Sequence, residues 1–313
     1  MRIFSPDPSL RMRTLRTVSE LRRVVSSARG GQARVGLVPT MGALHEGHLS
    51  LVRAARSECD LVVVSLFVNP SQFNESSDLE RYPRDERRDA ELAAEAGADV
   101  LFAPSVEEIY PAGFSTAVEV LGLTDVLEGA MRGSEHFRGV TTVVAKLFGM
   151  VMPDVAYFGQ KDAQQLAVIR RMVSDLDMPV ALVAVPTARA ADGLALSSRN
   201  ALLDSEARAR AAGLYAALRA AWSLHEDDGE TSAERLLQAA CEALAERDIE
   251  PDYVALVDAS SFQPLSELDR EAVLAVAARV GGVRLIDNLP LSPAAGAADT
   301  LKSKRKAVAA CSA

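Results

Sequence analysis

The apolar residues in the first half of the chain form short runs that alternate with helical patterns. Strand-length runs rich in Val and Leu occupy residues 35–38, 61–68, 100–103, 155–158 and 180–185. Patterns with helical spacing occupy residues 19–28, 49–56, 84–96, 141–152 and 164–176. Near-continuous apolar strands are typical of parallel sheets that are covered on both faces. The alternation of strands with helices therefore predicts a doubly wound, Rossmann-like α/β domain.

The pattern changes near residue 186. An alanine-rich helix is predicted over residues 204–224, with Asp204 or Ser205 as its cap, and a second helix runs from a cap at Thr231 or Ser232 to about residue 247.

Three strand-like runs follow the second predicted helix, at residues 253–257, 273–280 and 283–286. Between the last two, Gly281-Gly282 predicts a hairpin turn, so the sheet is expected to be antiparallel. We therefore predict a Rossmann-like domain at 1–186, a smaller α+β lid domain at 187–290, and a disordered tail at 291–313 that lacks apolar periodicity.

Composition and charge narrow the class of protein. The 313 residues are 49% apolar and 25% charged, as in a soluble globular protein, and a net charge of −9 argues against a nucleic-acid partner. Three isolated cysteines fit neither a disulfide framework nor a metal cluster, which predicts a cytoplasmic location. No apolar run approaches the roughly 20 residues of a membrane span, and the N-terminus has no apolar signal core.

The first predicted strand of the series leads directly into the segment 39–48, Pro-Thr-Met-Gly-Ala-Leu-His-Glu-Gly-His. Its two histidines, His45 and His48, lie three residues apart and are expected on one face of the first turn of a helix. A helix N-terminus attracts anions through its unpaired N–H groups, and imidazoles can donate further hydrogen bonds to phosphate oxygens. This segment therefore predicts a site for a nucleoside triphosphate.

Other interpretations of this segment fit less well. A zinc helix of the His-Glu-x-x-His type needs the second histidine one residue later, and neither a Walker loop nor a Gly-x-Gly-x-x-Gly fingerprint is present here. Two solvated histidines remain the plain alternative. Because the chain has only 4 histidines, and two of them fall in this one turn, we favour a site.

Two further polar loops directly follow predicted strands, at residues 69–72 and 159–162. Since the carboxyl ends of parallel strands meet at one edge of the sheet, these loops are expected to converge with the histidine segment. Residues 192–200, Asp-Gly-Leu-Ala-Leu-Ser-Ser-Arg-Asn, add two hydroxyls followed by a guanidinium, a combination suited to phosphate.

Together, the histidine segment and the Ser-Ser-Arg segment resemble the two nucleotide signatures of the nucleotidylyltransferase superfamily. Six motifs, in the same order, narrow this likeness to the pantothenate synthetase family. These motifs are residues 39–48, 67–73, 82–84, 136–140, 158–162 and 192–200. The Leu-Ile-Asp-Asn run at 285–288 also fits, so the resemblance covers most of the chain apart from the tail.

The resemblance implies ATP-dependent ligation of (R)-pantoate and β-alanine to pantothenate, with release of AMP and pyrophosphate. It further implies a pantoyl-adenylate intermediate, Mg²⁺ with unknown ligands, and a homodimer. The catalytic residues implied are His45, His48, Lys161, Ser197, Ser198 and Arg199. Gln72 and Gln165 are implied to bind pantoate, and Gln72 also β-alanine.

The same resemblance implies a larger set of residues that line ATP. These are Met41, Gly42, Ala43, Leu44, His45, Glu46, Gly47, His48, Gly159, Gln160, Lys161, Asp162, Ala188, Leu196, Ser197, Ser198 and Arg199. The chain departs from the family pattern at a few positions. Ala190 replaces a glutamate, Leu196 a methionine and Arg88 an acidic residue, and the segment 128–136 is one residue longer.

Several polar residues have plain structural interpretations. Asn69 is expected to stabilise a turn, Asp89 to lie on a solvated helix face, and His225 to lie at the surface. For His136, structural and functional roles are equally favoured. Two other functions stay open: a nucleotidylyltransferase that moves AMP or CMP onto a phosphate acceptor, and a non-catalytic nucleotide-binding protein.

Overall fold

The protein is described here by a computed structural model that covers residues 12–73 and 76–293. The described residues divide into two units. Unit 1 contains the residues up to Gln160, together with Gln164–Ala188 and Leu196–Ser198. Unit 2 contains Lys161–Ala163, Arg189–Ala195 and the residues from Arg199 onward. The predicted domain boundaries at residues 186 and 290, and the lid role, stay predictions.

Unit 1 is built on a six-stranded parallel sheet, as the apolar runs predict. Its strands are β1 (Arg13–Leu15), β2 (Val35–Thr40), β3 (Leu61–Leu66), β4 (Val100–Phe102), β5 (Val155–Gly159) and β6 (Ala181–Val185). They lie in the order β1-β4-β3-β2-β5-β6, and every pair is parallel. From β2, the chain adds β3 and β4 on one side of the sheet and β5 and β6 on the other. The boundary between β2 and β5 is therefore the topological switch point, where doubly wound sheets bind ligands.

Helices connect these strands. They are α1 (Val18–Gly30), α2 (Glu46–Glu58), α3 (Ser76–Arg81), α4 (Glu86–Glu95), α5 (Val106–Ile109), α6 (Glu128–Arg132), α7 (Ser134–Val151) and α8 (Ala163–Asp175). The first begins at a capping box, in which the Thr17 side chain accepts the Glu20 N–H and the Glu20 carboxylate accepts the Thr17 N–H. The fold class predicted from the sequence is thus confirmed for this unit.

Unit 2 combines three helices with an antiparallel sheet, also as predicted. These elements are α9 (Ser205–Ala211), α10 (Gly213–Asp228), α11 (Ala233–Ala245), β7 (Pro251–Asp258), β8 (Ala272–Val280) and β9 (Val283–Leu291). The strands lie in the order β7-β8-β9. Gly281 and Gly282, both with positive φ, form the two-residue hairpin between β8 and β9. The predicted tail beyond residue 293 lies outside the described residues.

Several elements differ from the sequence-based prediction: the short helices α3, α5 and α6 were not predicted, and α7 begins at Ser134 and not at residue 141. Strand β1 was not predicted, because three residues with a single buried side chain, Leu15, carry no recognisable apolar pattern. The single helix predicted over 204–224 is interrupted between Ala211 and Gly213. A Cβ on Gly213 would lie 2.7 Å from side-chain atoms of both Arg247 and Ile249, so glycine lets these side chains pack closely against the start of α10.

The prediction that His225 lies at the surface is wrong. This residue is only 3% exposed in the last turn of α10. Its Nδ1 lies 2.7 Å from the main-chain oxygen of Glu230 and its Nε2 2.9 Å from that of Ser292. The imidazole therefore joins the helix end to the segment after β9, a role that its polar sequence neighbours do not reveal.

No helix in the part of the chain that the structure describes combines the length and the apolarity needed to cross a membrane.

Candidate active site

The two histidines of the first motif lie together at the N-terminus of α2. His45 occupies the N-cap position in extended conformation, and His48 follows at the third helical position. Their ring centroids are 4.1 Å apart. The predicted placement on one face of a first turn is therefore what the structure has, at a helix end whose N–H groups and dipole favour anions.

The cap contacts also define where each imidazole carries its proton. Nδ1 of His45 accepts the N–H of Gly47 at 3.1 Å, and Nδ1 of His48 accepts the N–H of His45 at 3.4 Å. An imidazole nitrogen that accepts a backbone N–H is unprotonated, so in each neutral ring the proton lies on Nε2. Both rings consequently present an N–H donor on the side away from the helix backbone, as a phosphate site requires.

The turn before these histidines is held by a carboxylate that sequence reasoning placed in solvent. Asp89, on α4, is only 2% exposed, so the prediction of a solvated helix face is wrong. Its two carboxylate oxygens accept the N–H groups of Ala43 at 2.9 Å and Leu44 at 2.7 Å. Ala43 has a φ of 50°, in the left-handed region that costs a residue with a Cβ energy, and these hydrogen bonds offset that cost. Burial raises the pKa of the Asp89 carboxyl, although the N–H groups of Leu44 and Ala43 oppose this shift.

A network of hydrogen bonds fixes Gln72, the residue proposed to bind pantoate. Its Oε1 accepts Nδ2 of Asn69 at 3.1 Å, and its Nε2 lies 3.0 Å from Sδ of Met41. Its main-chain oxygen lies 2.7 Å from Nδ1 of His136. Asn69 is 1% exposed and stabilises the turn as predicted, while His136 holds the main chain of Gln72. The loops after β2 and β3 thus meet, as expected at one edge of the sheet.

The network extends to residues that the sequence did not single out. The hydroxyl of Tyr110 donates to Oδ1 of Asn69 at 2.8 Å, and burial raises the pKa of this tyrosine, so its hydroxyl remains a donor. Gly139 on α7 approaches the same loop so closely that a Cβ there would lie 2.3 Å from the main-chain oxygen of Ser71. Gly139 lies in the motif 136–140, outside the helical pattern predicted over 141–152, so the sequence did not reveal this close approach.

The structure also brings the histidine turn toward the Ser-Ser segment within unit 1. The position that a Cβ would occupy on Gly47 lies 4.0 Å from Cβ of Ala188. The main-chain oxygen of Ala188 in turn accepts the N–H of Leu196 at 2.9 Å, directly before Ser197. Motifs that are about 140 positions apart in the sequence are therefore connected by two short contacts.

The remaining predicted residues are distributed over both units. Gln160, Lys161 and Asp162 form a short 3₁₀ turn after β5, and Gly159 ends that strand. Ser198 and Arg199 begin another 3₁₀ turn, Ser198–Leu202, and Arg199 is exposed. Lys161 and Arg199 belong to unit 2, whereas Ser197 and Ser198 belong to unit 1.

Gln165 and its neighbour Gln164 have different surroundings on α8. Gln164 is buried and holds the loop before α6, accepting the Glu128 N–H at 3.0 Å and donating to main-chain oxygens of Leu123 and Val126 at 2.8 Å each. The Gln165 side chain is half-buried, and it makes no hydrogen bond to any residue that the structure describes. Its amide thus keeps the donor and acceptor capacity that a pantoate ligand would need.

Metal ligands are not evident in this arrangement. Within residues 12–73 and 76–293, no group of three or more His, Cys, Asp or Glu side chains could hold a metal ion. Asp89 already uses both carboxylate oxygens on the turn, and Glu46 pairs with Arg53. Apart from Glu46 and Asp162, the polar side chains assigned to the site are imidazoles, amides, hydroxyls and cations, whereas Mg²⁺ prefers oxygen ligands such as carboxylates.

Comparisons with known proteins agree with this geometry. The model of the family described as pantoate–β-alanine ligase matches residues 13–290. A protein named pantothenate synthetase from Moorella thermoacetica is 52% identical over 282 residues, which cover 90% of this chain and 99% of that protein. One of the same name from Rhizorhabdus wittichii is 53% identical over 284 residues, with 90% and 100% covered.

Solved structures give the same result. A pantothenate synthetase from Thermus thermophilus superposes with a TM-score of 0.84 at 51% identity and covers 90% of this chain and 100% of its own. A pantoate–β-alanine ligase from Francisella tularensis, described as complexed with β,γ-ATP and β-alanine, superposes with a TM-score of 0.72 at 36% identity. That alignment covers 89% of this chain and 97% of the other.

Proposed function

The chain belongs to the pantoate–β-alanine ligase family and is an enzyme of the ligase class, and we propose that it joins (R)-pantoate to β-alanine through a pantoyl adenylate, with release of AMP and pyrophosphate. The observation that carries this proposal is the pair of imidazoles at the N-terminus of α2, with ring centroids 4.1 Å apart and each Nδ1 held by a backbone N–H. The Francisella relative's complex with a nucleotide and β-alanine supports the substrate classes.

The first step makes a poor electrophile reactive. A pantoate carboxylate oxygen attacks the α-phosphorus of ATP, a new P–O bond forms, and the bond to pyrophosphate breaks roughly in line. Because two anions must meet, donors have to offset their repulsion. We assign this role to His45 and His48 at the helix end, with His48 as proton donor.

The other phosphate contacts are assigned by resemblance. Lys161, Ser197, Ser198 and Arg199 would hold phosphate oxygens, since an ammonium, two hydroxyls and a guanidinium are all donors. Met41 to His48, Gly159 to Asp162, Ala188 and Leu196 would line the nucleotide. Within unit 1, the main-chain oxygen of Ala188 accepts the N–H of Leu196 near Gly47, which supports a shared nucleotide site for residues 41–48, 188 and 196.

In the second step the amine of β-alanine attacks the acyl carbonyl carbon. The new C–N bond forms, the C–O bond to AMP breaks, and the amine loses a proton. Gln72 and Gln165 are proposed to bind pantoate, and Gln72 also β-alanine, since a neutral amide donates and accepts without adding charge beside a carboxylate. Gln72 is suited to this because Asn69 and Met41 fix its side chain.

Mg²⁺, a homodimer and a cytosolic location are expected from the resemblance and the composition. The described residues do not by themselves make a magnesium site. Sedimentation at several protein concentrations tests the dimer, and a monomer throughout would contradict it.

The experiment that tests the proposed function is isotope exchange between pyrophosphate and ATP. We expect exchange that depends on pantoate and proceeds without β-alanine, because adenylate formation is reversible and precedes the amine. Exchange driven by a phosphorylated acceptor, with pantoate inert, would instead indicate a nucleotidylyltransferase. Binding of ATP with no exchange under any acid or acceptor would indicate a non-catalytic nucleotide-binding protein.

The assignment of His48 is tested by His48→Asn. The asparagine Oδ1 can replace the imidazole Nδ1 as acceptor for the His45 N–H, so the cap is kept while the Nε2 proton is lost. We expect the exchange rate to fall about 100-fold or more, since a general acid contributes about that much. The free energy of unfolding should change by less than about 1 kcal/mol.

A matched control is His225→Asn, in the other unit. That imidazole touches two main-chain oxygens, so its replacement should lower the free energy of unfolding by about 1–3 kcal/mol. The exchange rate of the folded protein should stay within roughly twofold of the unchanged chain. If His48→Asn behaved like this control, His48 would have a structural role only.

A further inference from the structure

Strand β9 contacts the turn that carries Lys161. Asn288, 6% exposed, donates from Nδ2 to the main-chain oxygen of Lys161 at 2.8 Å. The two residues are 127 positions apart, and both belong to unit 2. The turn Gln160–Asp162 is only three residues long, so a hydrogen bond to its central carbonyl fixes the place from which the lysine side chain begins.

The neighbouring residue, Asp287, anchors a second segment. It is 3% exposed, and its carboxylate accepts two hydrogen bonds from the Arg189 guanidinium, at 2.5 and 2.9 Å. Its Oδ1 also accepts the Asn288 N–H at 2.8 Å. A buried ion pair of this kind adds little net stability unless its remaining donors and acceptors are satisfied. Such a pair often serves to hold two segments in one arrangement.

Arg189 also contacts the segment that it begins, and it donates to the main-chain oxygen of Asn288 at 3.3 Å. The guanidinium donates to the main-chain oxygen of Gly193 at 3.0 Å and lies 3.9 Å from the ring centroid of Tyr215. Arg189 and Ala195 form an isolated antiparallel bridge, so residues 189–195 are a small hairpin. Gly193 has a φ of 91°, and a Cβ there would lie 2.2 Å from the Tyr215 ring. Gly193 is therefore packed closely against Tyr215, and Leu196 connects the hairpin to the Ser197-Ser198-Arg199 segment.

We propose that Asn288 and Asp287 are positioning residues, with Asn288 fixing the main chain of Lys161 and Asp287 fixing, through Arg189, the hairpin that precedes the Ser-Ser-Arg segment. This inference rests on the proposed function, in which Lys161 and that segment hold the phosphates of ATP. A lysine is a point charge on a flexible four-carbon stem, so its ammonium is placed only as well as its main chain. Small misplacements of such a group slow a reaction strongly.

The test is a double-mutant cycle measured by pantoate-dependent ATP–pyrophosphate exchange. Asn288→Ala removes the donor to Lys161, and we expect kcat/KM for ATP to fall about 10- to 100-fold, with KM for pantoate little changed. Lys161→Ala is the second single variant. If Asn288 acts through the lysine, adding Asn288→Ala to Lys161→Ala lowers the rate by no more than roughly twofold further. Losses that multiply would mean that Asn288 only supports the fold, and would overturn the proposal.

Asn288→Asp covers the case in which the alanine variant does not fold. It keeps the side-chain volume but places an acceptor against the main-chain oxygen of Lys161, so the same loss of kcat/KM for ATP is expected. Asp287→Asn removes the charge that pairs with Arg189 and should raise KM for ATP about 10-fold. Undiminished exchange in the folded Asn288→Asp variant would overturn the role of Asn288, and an unchanged KM for ATP in Asp287→Asn would overturn that of Asp287.

A matched control is Arg284→Ala on the same strand. Arg284 pairs with Asp252 on β7 at 2.7 Å, and the two side chains are 15% and 20% exposed, so this is also a largely buried ion pair of the sheet. Its loss should leave kcat/KM for ATP within roughly twofold of the unchanged chain. An equal loss in this control would show that any damage to the sheet has the same effect. If the unchanged chain showed no pantoate-dependent exchange, the proposed function would fail; an active chain with unaffected Asn288 variants would contradict only the present inference.

Discussion

Replacing Asp89 by asparagine should loosen the turn that precedes His45. In the structure each carboxylate oxygen accepts one buried main-chain N–H, from Ala43 at 2.9 Å and from Leu44 at 2.7 Å. Asparagine keeps one acceptor but turns an amide N–H₂ toward the other N–H. One buried donor is then unpaired, which costs about 1–3 kcal/mol of unfolding free energy. Asp89→Ala leaves both donors unpaired and should cost about 2–6 kcal/mol on the same basis.

The Asp89→Asn substitution should also lower the rate of the reaction. Ala43 has a φ of 50° in the turn that Asp89 holds, and His45 follows two residues later. We therefore expect pantoate-dependent exchange in Asp89→Asn to fall about 10- to 100-fold, since misplaced groups slow a reaction by about that much. Urea unfolding gives the stability change, and exchange at a temperature where the variant is fully folded gives the rate.

Asp85→Asn is the matched control on the same helix. Asp85 is exposed and accepts the Arg88 N–H at 3.1 Å as the N-cap of α4. Because asparagine caps helices as well as aspartate does, its loss of stability should be below about 0.5 kcal/mol, and exchange should not change. The reasoning about Asp89 is refuted if Asp89→Asn unfolds at the same urea concentration as the unchanged chain, or if its exchange rate matches that of the control.

Two further predictions concern helix α7 and acid stability. Gly149→Ala should raise the free energy of unfolding by about 0.5–1 kcal/mol, because a Cβ there meets nothing within 4 Å. Gly139→Ala forces a Cβ to within 2.3 Å of the main chain of the Ser71-Gln72 loop, so it should lower the free energy of unfolding and raise KM for pantoate. Equal effects of the two variants in urea unfolding and in kinetics would contradict this. Burial alone would raise the pKa of Asp258, but hydrogen bonds from the two serines at 260–261 outweigh it and lower the pKa to about 2 from the ordinary 3.8. Since the folded pKa is the lower one, the stabilisation is complete well above pH 3.8 and is lost as the pH falls toward 2. Replacing Asp258 by alanine should therefore remove about 1–2 kcal/mol at pH 7 but little near pH 2, and a loss independent of pH in acid unfolding would refute the assignment.

The sequence predicts most of the fold because apolar period and length are local properties. Strands β2 to β9 and the helices around them follow from runs of Val and Leu and from helical spacing, and the paired glycines at 281–282 mark their hairpin. The apolar pattern fails to predict an element where it is too weak, and it fails to predict a boundary where it does not change along the chain. Strand β1 buries one side chain only, and the alanine-rich stretch around Gly213 is helical on both sides of a one-residue interruption at Ala212 that the uniform pattern does not mark.

The candidate site divides in the same way. The pairing of His45 with His48 could be predicted, because three residues of spacing on a helix fix two side chains to one face. The environment of Asp89 could not, since its sequence neighbours are charged and its partners lie 45 and 46 positions away. His225 was misplaced for the same reason.

By itself, the sequence determined the order of the strands and helices, the motifs at the carboxyl ends of the parallel strands, and the likeness to one family of ligases. Only the tertiary structure decided which polar groups are buried and what they hold, as with Asp89 on its turn and Asn288 on the Lys161 carbonyl. The physical reason is that a buried polar group must find a hydrogen-bond partner, and that partner is set by which distant segments pack together rather than by its neighbours in the chain.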